Sequence, residues 1–281
     1  MIIGFVGLGN IGGAMASRLP HDALLVHDIR EEVAAPYLDR GARFGSLKDL
    51  AVDCDVISIV VLTDEQVRDV VAALVEHATP GTVIAIHSTI DIRTAPELAT
   101  MALEKGVAVL DAAISGGPVG AAEGRLAVMV GGDRDAYEKA KPAFTHWADL
   151  ILHVGPAGAG TQCKLARNLI SFVSYAAGGE AQRLADAAGI DVAKLAAVVR
   201  HTEALGVGSP ASLMRGTVAP LAVDDPARPI FEHGCSLGEK DLSLAIAMGD
   251  DLGLDAPLAR EALHQLAYAF GVPREEGVSG G

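Results

Sequence analysis

Three groups of residues in this chain have the types and spacing to do chemistry. Gly7-Leu8-Gly9-Asn10-Ile11-Gly12 follows directly on the apolar run Ile2 to Val6 and opens a helical pattern carrying Ala14, Met15 and Leu19. In a strand–turn–helix unit the first glycine permits the tight turn. The second lets a pyrophosphate approach the backbone, and the third lets helix pack on strand, with the helix N-terminus facing the phosphates. Asp28 closes a second apolar run, Ala23 to His27, about 20 residues after the first glycine, where a carboxylate accepts from a ribose 2′-hydroxyl. Together these features predict a dinucleotide site. A second group, Ser115-Gly116-Gly117, follows an apolar strand. It reads as successive backbone N–H groups with a hydroxyl beside them, an anion nest, or as a plain surface turn. The third group is a polar stripe of Lys164, Asn168, Ser171 and Tyr175 at i, i+4, i+7 and i+11.

Positioning these residues takes a sheet and a long helix. Near-continuous apolar runs at Ile2–Val6, Ala23–His27, Val56–Leu62, Val83–Ile86 and Val107–Leu110 read as buried parallel strands. Helical patterns alternate with them over Glu31–Arg40, from Thr63-Asp64 through Val75, and over Thr94–Gly106. Leu126–Val130 and Ile151–Val154 read as further strands flanking a helix near Arg134–Phe144. The alternation predicts an α/β domain of the Rossmann type, a doubly wound parallel sheet. In such a sheet ligands lie beyond the carboxyl ends of the strands, so Leu62-Thr63, Ser88-Thr89 and the residues from Asp111 onward should line one crevice.

Gly155, Pro156, Gly158 and Gly160 then lead into a proline-free stretch, Thr161 to Ala188, ~42 Å long as one helix at ~1.5 Å per residue. Leu165, Leu169, Phe172, Val173 and Ala176 form its apolar face. It reads as a spine between two domains or as an ordinary helix with a solvated polar face. Beyond Gly189 the pattern is helical over Val192–His201, Leu237–Leu252 and Pro257–Phe270, with Ser209–Gly234 as loops and short helices and 271–281 frayed. The expected organisation is a dinucleotide-binding domain over 1–160 and a smaller all-α substrate and oligomerisation domain over 161–281, with the linking helix at about 161–188.

Composition narrows the partners. A net charge of −14 argues against nucleic acid and acidic membranes, and an anionic ligand must be held by local donors. No apolar run reaches the ~18 residues of a membrane-spanning helix, and the start MIIGFVGLGN carries no basic leader. Cys54, Cys163 and Cys235 match no zinc or disulfide spacing, which fits a cytoplasmic protein without a metal.

Four stretches, in order, resemble the β-hydroxyacid dehydrogenases, the family of 3-hydroxyisobutyrate dehydrogenase within the 6-phosphogluconate dehydrogenase superfamily. They are Gly4 to Gly12, Asp111 to Gly117 with Gly120-Ala121, Gly158-Ala159-Gly160 with Lys164 and Asn168, and Phe231 with Lys240-Asp241-Leu242. The resemblance implies hydride transfer between NAD or NADP and a small carboxylate-bearing hydroxy acid or semialdehyde. It assigns Lys164 as general acid and base, with Asn168 and Ser115-Gly116-Gly117 binding substrate. Leu62, Thr63 and Thr89 would border the nicotinamide, and Lys240 would reach cofactor and substrate from the second domain. It also implies a homodimer or homotetramer through the helical domain. Asp28 favours NAD, with Arg30 as the countervailing cation. The Lys164 amine would need a depressed pKa, which desolvation and a nearby cation such as Lys240 would supply.

The chain departs from the family pattern at Arg167, where an asparagine is usual, at Ala113-Ile114, at Ile92 and at His87. Arg167 reads as a salt-bridge partner or as a contact for a second anionic group. The competing function is a catalytically silent, cofactor-binding scaffold of the same fold, whose signature would be loss of the lysine.

Overall fold

The computed structural model describes residues 1–205, 215 and 217–273. The chain divides into two compact units, Met1–Asn168 and Leu169–Gly281. The first contains β1 (Ile3–Val6), α1 (Asn10–Ala16), β2 (Leu24–His27), α2 (Ala35–Leu38), β3 (Arg43–Phe44), α3 (Leu47–Asp53), β4 (Val56–Ile59) and α4 (Asp64–His77). It continues through β5 (Val83–Ile86), α5 (Thr94–Leu103), β6 (Ala108–Ser115), α6 (Gly117–Glu123), β7 (Leu126–Gly131), α7 (Arg134–Phe144) and β8 (Ala148–Gly155) to the first turns of α8 (Ala159–Ala187).

One eight-stranded sheet, ordered β3-β2-β1-β4-β5-β6-β7-β8, carries this unit. β1, β4 and β5 are buried along their whole length, because helices cover both faces, and that is why these strands are continuous apolar runs rather than alternating ones. One face packs Phe5, Met15, Val26, Leu110, Val128, Phe144 and Trp147. The other packs Ile57, Ile59, Val67, Val71, Leu74, Ile84, Ile86 and Leu98.

The sheet is mostly parallel, but β7 runs antiparallel to β6. The strand expected at Val107–Leu110 continues to Ser115. Asp111 is therefore an interior strand residue, level with Ile86 of β5 and Gly131 of β7, and not part of a loop beyond a strand end. Glu31–Arg40 forms a 3-10 turn (Glu31–Ala34) and the short α2 instead of one helix; Pro36 sits in the first turn of α2, where its missing N–H costs least.

The second unit holds the remainder of α8 with α9 (Val192–Glu203), α10 (Arg228–Asp251) and α11 (Pro257–Ala269). α10 starts well before the expected Leu237, with Pro229 in its first turn. Gly234 is what admits Phe270, since a Cβ there would lie 2.9 Å from the ring. Glu180 on α8 is buried and accepts from the amides of Leu258 (3.1 Å) and Ala259 (2.9 Å), capping α11 from another helix. Val272 is buried and the Gly271 carbonyl accepts from Leu221 N, so these two residues are docked rather than frayed. Residues 206–214, 216 and 274–281, on which part of the loop and tail expectations fall, lie outside the described residues. No helix among the described residues is long and apolar enough to cross a membrane.

Candidate active site

The glycine turn fits a dinucleotide on its own geometry. Gly7 has φ +92°, and a Cβ there would sit 2.0 Å from the Val60 carbonyl oxygen; one at Gly12 would sit 2.1 Å from the Gly7 carbonyl oxygen. Those two positions are closed by backbone. Gly9, the N-cap of α1, is exposed and has nothing within 4 Å of a would-be Cβ, the open cradle that an approaching phosphate needs.

Asp28 lies one residue past β2, buried, and is tied to the same turn. Its Oδ2 accepts from Leu8 N at 2.8 Å and its Oδ1 from Arg30 N at 2.9 Å, with Arg30 Nε 3.6 Å away. Burial pushes this carboxyl up, but the Leu8 and Arg30 amides and the Arg30 guanidinium outweigh it and hold it below the ordinary carboxylate range. It is a fixed anion beside the glycine turn.

The loops after β4 and β5 are braced against each other. Ser88 Oγ donates to the Val61 carbonyl (2.8 Å) and accepts from Val61 N (2.9 Å). Thr63 caps α4, and Gln66 Oε1 accepts from both Leu62 N and Thr63 N. That leaves the Leu62 side chain 91% exposed; Thr89, in the loop after β5, is exposed too. Asp64 accepts from Thr94 Oγ1 (2.7 Å), Asp91 N (3.1 Å) and Arg68 Nε (2.8 Å), joining the starts of α4 and α5. The unusual His87 is a core residue. Its Nδ1 donates to the Ala112 carbonyl at 2.7 Å, its Nε2 accepts from Ser58 Oγ at 3.1 Å, and burial depresses it to about 4.

Ser115 ends β6, and Gly116 and Gly117 follow with φ +131° and +65°, opening α6. Four residues back along β6, Asp111 accepts from Gly158 N (2.8 Å) and Thr161 N (2.7 Å). This carboxylate satisfies orphan amides at the start of α8 and pins that helix level with the carboxyl ends of the parallel strands. The helix meets the sheet through glycines: a Cβ on Gly160 would lie 2.3 Å from the Asp111 carbonyl oxygen and 2.4 Å from that of Met129. Lys164 follows one turn later and is partly buried. Burial, then the Arg167 guanidinium, hold its amine below the ordinary lysine value. Arg167 Nη1 donates to Asn168 Oδ1 at 3.4 Å.

Residues 2–155 match the model of the NAD binding domain of 6-phosphogluconate dehydrogenase, and 158–272 match that described as NAD-binding of NADP-dependent 3-hydroxyisobutyrate dehydrogenase. The chain belongs to the β-hydroxyacid dehydrogenase family. Similar chains include a putative oxidoreductase from Mycobacterium avium, whose crystal structure superposes with TM-score 0.92 at 49% identity, covering 97% of this chain and 99% of that one. The NAD-dependent L-serine dehydrogenase of Pseudomonas aeruginosa is 32% identical over 93% of this chain and 89% of its own. The Mycobacterium tuberculosis 3-hydroxyisobutyrate dehydrogenase, in a structure with L-serine, gives TM-score 0.67 at 30% identity, covering 97% and 98%.

As a member of this family, the chain is an oxidoreductase that takes a nicotinamide dinucleotide. Gly7 to Gly12, Asp28, Leu62, Thr63, Thr89, Ser115 to Gly117, Lys164 and Asn168 all fall within the first compact unit. Lys240 falls in the second, on α10, paired with Asp241 at 3.2 Å. Sequence reasoning missed Asp111 as the anchor of α8. The signal was available: a lone carboxylate in the otherwise apolar Val107 to Ile114 run has to be partnered where it is buried. Arg167, noted in the sequence only as a departure from the family pattern, is a cation that lowers the Lys164 amine from three residues along the same helix.

Proposed function

We propose that this β-hydroxyacid dehydrogenase oxidises a small β-hydroxy acid, or reduces the matching semialdehyde, with Lys164 moving the proton. The observation that carries this reading is the Lys164 amine itself, partly buried and held below its ordinary pKa on a helix start pinned by Asp111. The bound dinucleotide would supply the hydride acceptor or donor; the Gly7–Gly12 turn would hold its pyrophosphate, Asp28 a ribose hydroxyl, and Leu62, Thr63 and Thr89 would border its nicotinamide. The neutral Lys164 Nζ takes the hydroxyl proton during oxidation and returns it during reduction. Asn168, one helical turn on, hydrogen-bonds the reacting oxygen. Ser115 and the amides of Gly116 and Gly117 receive the carboxylate, which sets the reacting carbon. L-Serine and 3-hydroxyisobutyrate, both β-hydroxy acids, are the substrate class suggested by the names of the relatives. Assembly as a homodimer or homotetramer through the helical unit is part of the same reading. Exposed Val198, Val199, Ile230, Leu244 and Tyr268 support it, because a second copy would cover such apolar surface.

The test is Lys164→Met, assayed with both acids and both cofactors. Turnover should fall about 10²–10⁴-fold, the usual contribution of a general acid–base group, while cofactor affinity and Tm stay near the parent. Turnover within a few-fold of the parent ends the assignment, and a parent protein that binds cofactor yet turns over no short hydroxy acid or semialdehyde identifies a silent scaffold.

A further inference from the structure

Arg167 donates to one functional neighbour, Asn168, and its charge acts on the other, Lys164. It is three residues after Lys164 and adjacent to Asn168, in the same compact unit. A guanidinium carries only donors, so the amide atom of Asn168 that faces it must be the oxygen, and Nη1 to Oδ1 is 3.4 Å. The Asn168 Nδ2 is thereby the atom left to face away from Arg167. A donor is what a developing alkoxide or a carbonyl oxygen requires.

We propose that Arg167 is a positioning residue for proton transfer: it turns the Asn168 amide so that its nitrogen is offered to the reacting oxygen, and it keeps a fixed positive charge one helical turn from the Lys164 amine. The proposal rests on the reading of Lys164 as the proton-transfer group.

Among the described residues of this unit, the charged groups where α8 meets the sheet are engaged elsewhere. Where the start of α8 meets β6, the Asp111 carboxylate is committed to the Gly158 and Thr161 amides. β7 contributes backbone of Met129 and Gly131. The loop before α5 approaches Gly158 through the Ile92 carbonyl, and its charges, Asp91 and Arg93, are paired with each other at 2.8 Å. After burial, the cation acting on Lys164 is Arg167, and its effect is to lower the amine's pKa. A neutral amine near neutral pH is the form that accepts a proton.

Three substitutions separate charge from hydrogen bonding. Arg167→Met removes both, Arg167→Gln keeps a donor for Asn168 Oδ1 without charge, and Arg167→Lys keeps the charge. The readouts are the acid limb of kcat/KM for oxidation of L-serine and 3-hydroxyisobutyrate with NAD, and the titration of the Lys164 amine by NMR in lysine-labelled protein, assigned with Lys164→Met. With Met or Gln at 167, the limb and the amine titration should both move to higher pH, by about half a unit or more for a like charge removed from a partly exposed site. With Lys they should stay in place. KM should rise roughly three- to tenfold for Met and less for Gln, the scale of one hydrogen bond. Arg167 is exposed, so the variants should fold, and Tm and cofactor affinity check this. An unmoved Lys164 titration in Arg167→Met overturns the proposal. So does a loss confined to a substrate with a second carboxylate, such as 3-hydroxyglutarate, because Arg167 would then contact substrate. Parental turnover in Lys164→Met would instead remove the reading beneath it.

Discussion

Asp111 Oδ2 accepts from the backbone amide of Thr161 at 2.7 Å, across fifty residues of sequence, while Oδ1 accepts from Gly158 at 2.8 Å. Both oxygens of one buried carboxylate are used to hold the start of the helix that carries Lys164. Asp111→Asn has a single acceptor oxygen and presents an NH2 to the other donor. Leaving one buried amide unpaired costs about 1–3 kcal/mol, so Tm should drop by several degrees. Turnover should fall with it while cofactor affinity persists, since the glycine turn follows β1, three strands along the sheet from β6. An Asp111→Asn variant with the parent Tm and turnover would show that the carboxylate is not the pin.

Cofactor choice should follow Asp28. Its carboxylate is held ionised between the Leu8 and Arg30 amides, so it can accept from a ribose 2′-hydroxyl and repels a 2′-phosphate. The expected result is a higher kcat/KM with NAD than with NADP, and a tenfold or larger move of that ratio towards NADP in Asp28→Asn. A tenfold preference for NADP in the parent would mean that the exposed Arg30 decides instead.

The substrate carboxylate is best tested at Ser115. Gly116 is a poor place to probe, because a Cβ there would lie 2.8 Å from Leu126 Cδ2 and its φ is +131°, so any side chain disturbs the turn itself. Ser115→Ala removes a hydroxyl and nothing else. Losing a hydrogen bond to a charged group costs about 1.5–3 kcal/mol, which is roughly a ten- to hundredfold rise in KM for the acid. Unchanged KM for substrate together with weakened cofactor binding would move the turn to the dinucleotide site.

His87 should make the protein acid-sensitive above the carboxylate range. Its folded pKa is about 4 because burial keeps it neutral, against an unfolded value near ~6.5. Between those values the unfolded state binds the extra proton, so this contribution is complete above the unfolded value and is lost as pH falls towards the folded one. Going from pH ~7 to pH ~5 should remove about 2 kcal/mol. Denaturant unfolding at the two pH values measures it, and His87→Gln should flatten the slope. Equal slopes in both proteins would assign the acid sensitivity to other groups.

How much of this was legible beforehand depends on the range of the interaction. The glycine turn, Asp28, the α4 start at Thr63-Asp64 and the α7 limits rest on local spacing: a turn's φ, a cap's reach, an apolar period. Each could be read from a few consecutive residues, and the family pattern followed from their order. The sequence by itself also determined that β1, β4 and β5 are buried on both faces, because only such strands are continuously apolar. What the tertiary structure decided involves partners far apart in the chain. The antiparallel turn of β7 against β6 carries no local signature, since an apolar run pairs in either direction. Asp111 looked like the end of a strand until the Gly158 and Thr161 amides, about fifty residues on, gave its buried oxygens their donors. Ordinary burial beside Phe144 and Trp147 explains His87, which the sequence could register only as a departure. Arg167 was visible as an unusual residue, but only the three-dimensional helix, with its donor on Asn168 and its charge lowering the Lys164 amine, says which groups that residue acts on.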